Sequence, residues 1–230
     1  MTLAKGSLVL LNYTAKVKDT DEVIETTIEE DAKKFNVFDH TRTYEPRLIS
    51  VGEGWVLQGM DEALVNANIG EKMDVEVPPE KGFGERDKDK VRMVSLRKLG
   101  EKADEIKVGD AIEIDNKVAI VRFISSGRVQ LDYNHRLAGK TIVYALEILK
   151  LLEQDNEKII ALIKRRIPVD ETKLKIIVSE SNIEVELPEE NYMYEGLQII
   201  KRAIVNDIFK YANTIKKIKF IETYEPQPQT

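Results

Sequence analysis

The segment Val51-Gly52-Glu53-Gly54-Trp55-Val56-Leu57-Gln58-Gly59-Met60-Asp61-Glu62-Ala63 decides the fold of this chain. It ends a predicted strand, turns on glycines and then begins a helix. Apolar residues recur with the spacing of one helix face, at Met60, Ala63, Leu64 and Ala67. Gly70 is placed where a C-terminal cap would end that helix. The pattern therefore predicts a short helix that lies on a sheet.

The sheet is predicted from alternating segments on both sides of this helix. Ser7 to Lys18 and Glu71 to Val77 have strand patterns, and Pro78-Pro79 ends the second one. A second informative stretch, Leu131 to Thr141, leads into an alternating strand from Thr141 to Leu152. Thr27 to Phe38 carries mostly charged residues and is expected to be a surface helix or a bulge between strands.

The middle of the chain is predicted to be an insertion into this sheet. Glu85 to Lys90 is a charged hinge, and short apolar runs follow it. These runs are Val91 to Leu96, Ala111 to Ile114, Val118 to Ile124 and Val129 to Leu131, with a turn at Ser125 to Arg128. We expect a small β-rich domain over residues 86–135, so that residues 1–85 and 136–152 form one domain.

The last third predicts a separate αββαβ domain over residues 153–230. Asn156 is the expected cap of a first helix with Ile159, Ile160, Ile163 and Ile167 facing a core, and Pro168 ends it. The two apolar runs 174–178 and 183–187 predict a hairpin. A long helix with Leu197, Ile200, Ile204, Ile208 and Tyr211 on one face precedes a strand from Lys216 to Tyr224. The predicted fold class is α+β.

Composition excludes several classes of protein. The chain has 230 residues, no cysteine and only two histidines, His40 and His135, so we expect neither a metal site nor a cofactor. The net charge of -6 argues against a general nucleic-acid binder. No apolar run is long enough to span a membrane and the first residues do not resemble a secretory signal, so a cytoplasmic location is expected.

The remaining chemistry is that of an apolar pocket. No Ser/His/Asp or Cys/His arrangement and no phosphate-binding glycine motif can be assembled. Rotation about an X-Pro bond suits such a pocket, because it requires no proton transfer. The barrier of about 18–20 kcal/mol comes from amide conjugation, and a water-poor cleft favours the twisted amide, which has lost that conjugation.

Residues 5 to 152 resemble the FKBP-type peptidyl-prolyl cis-trans isomerases of the long archaeal kind, and also the SlyD-like bacterial isomerases. The matching segments occur in the family order: Val9-Leu10-Leu11-Asn12-Tyr13-Thr14, Ile24-Glu25-Thr26-Thr27, Val56-Leu57-Gln58-Gly59-Met60, Pro78-Pro79-Glu80-Lys81-Gly82-Phe83-Gly84 and Val143-Tyr144-Ala145-Leu146-Glu147-Ile148. The implied fold is an antiparallel half-barrel sheet that wraps a short helix, with an insert-in-flap domain.

The resemblance also implies residue roles. Tyr13 and Glu25 would form the polar side of a proline pocket, Val56 and Leu57 would line it, and Met60 would form its floor. Phe83 would arch over the substrate carbonyl and Tyr144 would form the opposite wall. Substrate contacts are further expected at Ile49 and Trp55, and on the insert at Met93, Val94, Leu96 and Phe123. His135 is expected to hydrogen-bond a turn.

Three positions depart from the family pattern. Met60 stands where most members have Trp, Phe83 where Tyr is commonest, and Glu25 where Asp is usual. Loss of the Tyr hydroxyl removes a hydrogen bond worth about 1 kcal/mol. The departures leave open a non-enzymatic holdase, and residues 153–230 leave open a module that docks on ribosomes or other partners or forms a homodimer. The first prediction is an isomerase of proline-containing polypeptides with a chaperone-like insert.

Overall fold

The computed structural model describes residues 2–114, 116–224 and 226. The first part of the chain forms strands and helices in the following order: β1 (Leu8–Val17), β2 (Val23–Thr26), α1 (Glu29–Lys34), β3 (Arg47–Ser50), α2 (Gln58–Leu64) and β4 (Lys72–Val77). The insertion follows as β5 (Val91–Ser95), β6 (Ala111–Ile114), β7 (Lys117–Ser125) and β8 (Arg128–Asp132). The chain then continues as β9 (Ile142–Leu151), α3 (Asp155–Lys164), β10 (Lys175–Ser179), β11 (Asn182–Glu186), α4 (Leu197–Tyr211) and β12 (Lys217–Ile221).

The main sheet contains five strands in the order β2-β1-β9-β4, with β3 paired to β1 as well, and all pairs are antiparallel. Alternate residues of β1 point into one core, because successive side chains of a strand lie on opposite faces. Helix α2 covers this core with Met60 and Leu64, which are completely enclosed. A side chain at Gly59 would reach 3.0 Å from Val77 Cγ1, so glycine allows the helix to lie close to β4.

The insert sheet has the order β5-β8-β7-β6 and encloses a small core of its own. Its last strand is tied to the segment that enters the insert at Asp132, whose buried carboxylate accepts hydrogen bonds from Arg86 Nη2 at 2.6 Å and Arg122 Nε at 3.0 Å. Burial opposes ionisation of Asp132, but hydrogen bonds from Asn134 and the arginines lower its pKa below the ordinary value. A charged clamp therefore holds both ends of the insertion together.

The C-terminal sheet has the order β10-β11-β12, in which β10 and β11 form an antiparallel hairpin and β11 and β12 are parallel. Parallel strands need a long crossover, and α4 provides it. Ile159, Ile163 and Ile204 are buried in a core to which Leu8 and Leu48 of the main sheet also contribute. The C-terminal elements and the main sheet thus share one hydrophobic core.

The α+β class predicted from the sequence is confirmed, as are the surface helix within 27–38 and the αββαβ order at the C-terminal end. Two details of the prediction were wrong. Helix α2 ends at Leu64, because Asn66 adopts a left-handed φ of +68° and the backbone of Leu3 pairs with Asn66 and Ala67. Asn156 lies inside α3, whose cap residue is Gln154. Among the described residues, no helix is long and apolar enough to cross a membrane.

We predict that Ile163→Ala destabilises the main sheet as well as the C-terminal elements, because it opens a cavity in their shared core. The expected loss in the free energy of unfolding is about 2–5 kcal/mol. Hydrogen exchange should accelerate at the amides of Leu8 to Leu11 in β1. Val121→Ala in the core of the insert is the control and should accelerate exchange only within β5 to β8. Unchanged exchange in β1 of the Ile163 variant would show that the two parts are energetically separate.

Candidate functional site

Two tyrosines from neighbouring strands form the centre of the candidate site. Tyr13 of β1 is paired with Leu146 of β9, so Tyr144 lies diagonally across the strand pair on the same face. The ring centroids are 5.6 Å apart at an interplanar angle of 62°, an edge-to-face contact. Both side chains are buried. The β1–β9 register thus fixes one aromatic wall.

Apolar residues from other segments complete this wall. Met60 and Ile49 are each only 1% exposed and belong to the same cluster as the two tyrosines. Several half-buried side chains pack against that cluster, among them Ile24, Val56, Leu57 and Phe83. Seven apolar residues that were predicted from the sequence to form the site therefore belong to this cluster or pack against it. Ile24 packs against it as well.

A hydrogen-bonded group of charged residues lies at the edge of this cluster. The Tyr13 hydroxyl accepts a hydrogen bond from Arg47 Nη1 at 2.7 Å. Glu25 Oε1 accepts hydrogen bonds from Arg42 Nη2 at 2.8 Å and Arg47 Nη1 at 3.3 Å. Sequence reasoning selected Tyr13 and Glu25 but missed both arginines, because they lie in a loop and at a strand end without a motif.

The phenols of the site remain protonated well above neutral pH. Burial raises the pKa of Tyr13 to about 12, opposed by the positive charge of Arg47 and aided by the negative charge of Glu25. Burial also raises the pKa of Tyr144 far above the usual range, and the neighbouring Tyr13 and Glu25 add to this effect. Both side chains are therefore neutral aromatic groups at physiological pH.

The turn that presents Val56 and Leu57 is held by the buried carboxylate of Asp61. Its two oxygens accept hydrogen bonds from the backbone N–H groups of Gly52 and Gly54, each at 2.8 Å. Both glycines have positive φ values, +72° and +69°, which other residues rarely adopt. The sequence prediction did not include Asp61. The signal that could have identified it is a carboxylate that follows two closely spaced glycines.

The chain that returns from the insert packs against the site. The rings of Phe83 and His135 are stacked, with centroids 4.8 Å apart and an angle of 7° between their planes. His135 Nδ1 accepts a hydrogen bond from the Leu137 N–H at 3.3 Å, so the expected turn contact of this histidine is confirmed. The stacking on Phe83 was not expected.

The other residues that were predicted from the sequence to contact substrate lie outside this aromatic cluster. Trp55 is placed over the shared core, with its ring 5.6 Å from that of Tyr211 and 3.7 Å from the Arg165 guanidinium. Val94 and Leu96 pack against the insert core. Met93 and Phe123 are 51% and 54% exposed. Both pair with Gln130 of the strand between them, so they lie on the outer face of the insert sheet.

Comparison with known families and proteins agrees with this geometry. Residues 1–95 match the FKBP-type peptidyl-prolyl cis-trans isomerase family, residues 96–137 match the FKBP26 IF domain, and residues 155–225 match the FKBP26 C-terminal family. A short-type peptidyl-prolyl cis-trans isomerase of Methanocaldococcus jannaschii is 31% identical over 155 residues, which cover 67% of this chain and 98% of that protein.

Bacterial relatives show the same relationship at lower identity. The isomerase SlyD of Helicobacter pylori is 27% identical over 55% of this chain and 70% of its own length. The FKBP-type 16 kDa isomerase of Escherichia coli is 25% identical over 65% of this chain and 94% of its own length. This chain belongs to the FKBP-type peptidyl-prolyl cis-trans isomerase family. Its activity is the rotation of X-Pro peptide bonds in polypeptides.

We predict that Asp61→Asn lowers kcat/KM for a proline-containing peptide about tenfold. The new amide group would place an NH2 opposite one of the two glycine N–H groups, which then loses its acceptor at a cost of about 1–3 kcal/mol. The turn would shift together with Val56 and Leu57. Asp74→Asn, an exposed change on β4, is the control. Circular dichroism should show that both variants are folded at the assay temperature. A normal kcat/KM in the Asp61 variant would contradict this role of the turn.

We predict that kcat/KM is independent of pH between about pH 8 and pH 10.5, the range in which an ordinary tyrosine loses its proton. With a pKa of about 12, Tyr13 remains protonated throughout this range. Activity in carbonate and borate buffers should be compared for the wild type and Tyr13→Phe, and both profiles should be flat. A decline centred near pH 10 that disappears in Tyr13→Phe would show that the phenol titrates normally.

Proposed function

We propose that this isomerase accelerates proline-limited folding of cytoplasmic polypeptides, with residues 1–85 and 136–152 as the catalytic domain and residues 86–135 as a domain that holds unfolded chains. The proline ring would enter the cluster formed by Tyr13, Tyr144, Met60, Val56 and Leu57. Phe83 would cover the carbonyl side of the substrate. The convergence of these side chains from four separate segments is the observation that carries the proposal.

The chemistry of this site requires no acid or base. In the transition state the amide is twisted, so its carbonyl is less polar than in the planar form. An environment that excludes water favours that state relative to an exposed substrate. The raised pKa values of Tyr13 and Tyr144 are a consequence of the same burial, and they keep both phenols neutral at the pH of folding.

The polar edge would orient the substrate. Arg42 and Arg47 donate hydrogen bonds to the carboxylate of Glu25. Arg47 also donates a hydrogen bond to the Tyr13 hydroxyl oxygen, which is the acceptor. The Tyr13 hydroxyl can still donate its proton, either to the neighbouring Glu25 carboxylate or, with substrate bound, to a polar group of the peptide. This arrangement compensates for the longer Glu25 side chain, because two guanidinium groups restrict its position.

The insert would bind unfolded segments through its outer face. Met93 and Phe123 are large, exposed and placed on the same face of the sheet, which suits weak contacts with apolar side chains. The stack of His135 on Phe83 and the clamp at Asp132 connect this sheet directly to the site. Binding at the insert would raise the effective concentration of prolyl bonds at the nearby site.

We also propose that residues 153–230 mediate self-association. Met193 and Ile199 are 93% and 79% exposed beside the start of α4, which is unusual for large apolar side chains. A partner surface there would leave the outer face of the insert accessible for polypeptide substrates.

The proposal predicts that a proline-limited protein refolds faster at one enzyme per ten substrate molecules. The double variant Met93→Ser with Phe123→Ser should lose most of this acceleration, while its turnover of a short proline peptide stays near the wild-type value. Ile177→Ser is the matched control, because it changes a strand residue that is 62% exposed outside the insert. It should retain both activities.

An equal loss in both assays for the double variant would contradict substrate holding by the insert. An unchanged refolding rate with the wild-type enzyme would contradict the proposed folding role.

A further inference from the structure

A cleft of about 850 Å³ lies between the main sheet and α3. Tyr13 and Glu25 line one end of it, so it is continuous with the polar edge of the proposed proline site. The cleft extends along β3 to Trp55 and is closed on the other side by Ile160 and Arg165 of the C-terminal elements. A polypeptide held at the proline site would enter this cleft with its flanking residues.

The charges around the cleft leave one guanidinium group without a carboxylate. Each lining carboxylate has a cationic partner: Glu25 with Arg42 and Arg47, Glu45 and Glu171 with Lys164, and Glu157 with Lys150. Arg166 of the same wall pairs with Asp207 at 2.7 Å. Within the described part of the chain, no carboxylate lies within 4.0 Å of a side-chain nitrogen of Arg165.

Arg165 is instead held by an aromatic ring. Its guanidinium carbon lies 3.7 Å from the centroid of Trp55, which leaves the edge of the group available for hydrogen bonds. Partial burial lowers the pKa of Arg165, and the nearby positive charges of Arg166 and Arg47 act in the same direction. The negative charge of Asp207, which pairs with Arg166, acts in the opposite direction. An arginine remains charged after such a shift, so the cleft presents a positioned cation that has no direct ion pair.

We propose that this cleft is a substrate subsite in which Arg165 binds an aspartate or glutamate side chain that flanks the isomerised proline. The inference rests on the proposed position of the proline site. A single carboxylate matches the single unpaired guanidinium group. The apolar lining at Leu10, Leu48 and Ile160 suits a peptide backbone with mixed side chains better than a free phosphate ion.

The position of this cleft gives a reason for the hydrophobic core that the C-terminal elements share with the main sheet. Leu8 and Leu48 fix the main sheet against the helix α3, which ends next to Arg165. Packing through this core places the guanidinium in the same cleft as Tyr13. An extended peptide advances about 3.3–3.6 Å per residue, so the acidic residue is expected within a few residues of the proline.

The test uses pairs of peptides of about ten residues that contain one proline and differ by Glu or Gln. The substituted position is moved from two to five residues before or after the proline, and a tetrapeptide without charges reports on the proline site alone. The wild-type enzyme should show a kcat/KM about fivefold higher for Glu than for Gln at one or two positions, mainly through KM. This preference should decline in high salt because ionic strength screens it.

Arg165→Gln should reduce the Glu/Gln ratio to about 1, and Arg165→Lys should restore part of it. Arg202→Gln is the matched control, since it removes the same charge from an exposed position of α4 and should retain the full ratio. A ratio near 1 in the wild type at every position, or an unchanged ratio in Arg165→Gln, would overturn the subsite. An inactive enzyme on the uncharged tetrapeptide would instead overturn the proposed proline site.

Discussion

The pairing of β1 with β9 is the constraint on which the other features depend. These strands lie at opposite ends of the region that contains the insertion, and they pair over almost their full lengths. Their register places Tyr13 beside Tyr144, and a shift of one strand by one residue would put the two rings on opposite faces of the sheet. The pairing of β4 with β9 on the other side, which sets Val77 opposite Ile142, brings the two ends of the insertion close together. The hydrogen bonds of Asp132 then connect these ends.

The C-terminal elements are part of the same physical unit as the main sheet. Their core includes Leu8 and Leu48, which are side chains from the face opposite to the tyrosines. One sheet therefore separates two cores, one that supports the candidate proline site and one that supports α3. Because both are attached to the same strands, the position of Trp55 and Arg165 relative to Tyr13 is fixed by packing and not by a linker.

The insert, in contrast, has a hydrophobic core that is separate from the two cores on either side of the main sheet. Its core is small, and Met93 and Phe123 remain on the outer face. Charged contacts and the ring stack between Phe83 and His135 connect it to the rest of the chain. The core of the insert is therefore separate from the main core, which is compatible with the proposed binding of unfolded segments.

The sequence by itself determined the elements, since alternation and helical spacing are local properties of β1, β4, β9 and α4. The order of its motifs also indicated the family, and with it the residues of the aromatic cluster. The tertiary structure decided the contacts of Arg47, Asp61 and Arg165, because these join segments that have no shared pattern in the chain. It also decided that Trp55 packs on the C-terminal elements and that α2 ends early, where Leu3 binds the backbone. Periodicity reports which face of an element is buried, whereas the partner that buries it depends on packing across the whole fold.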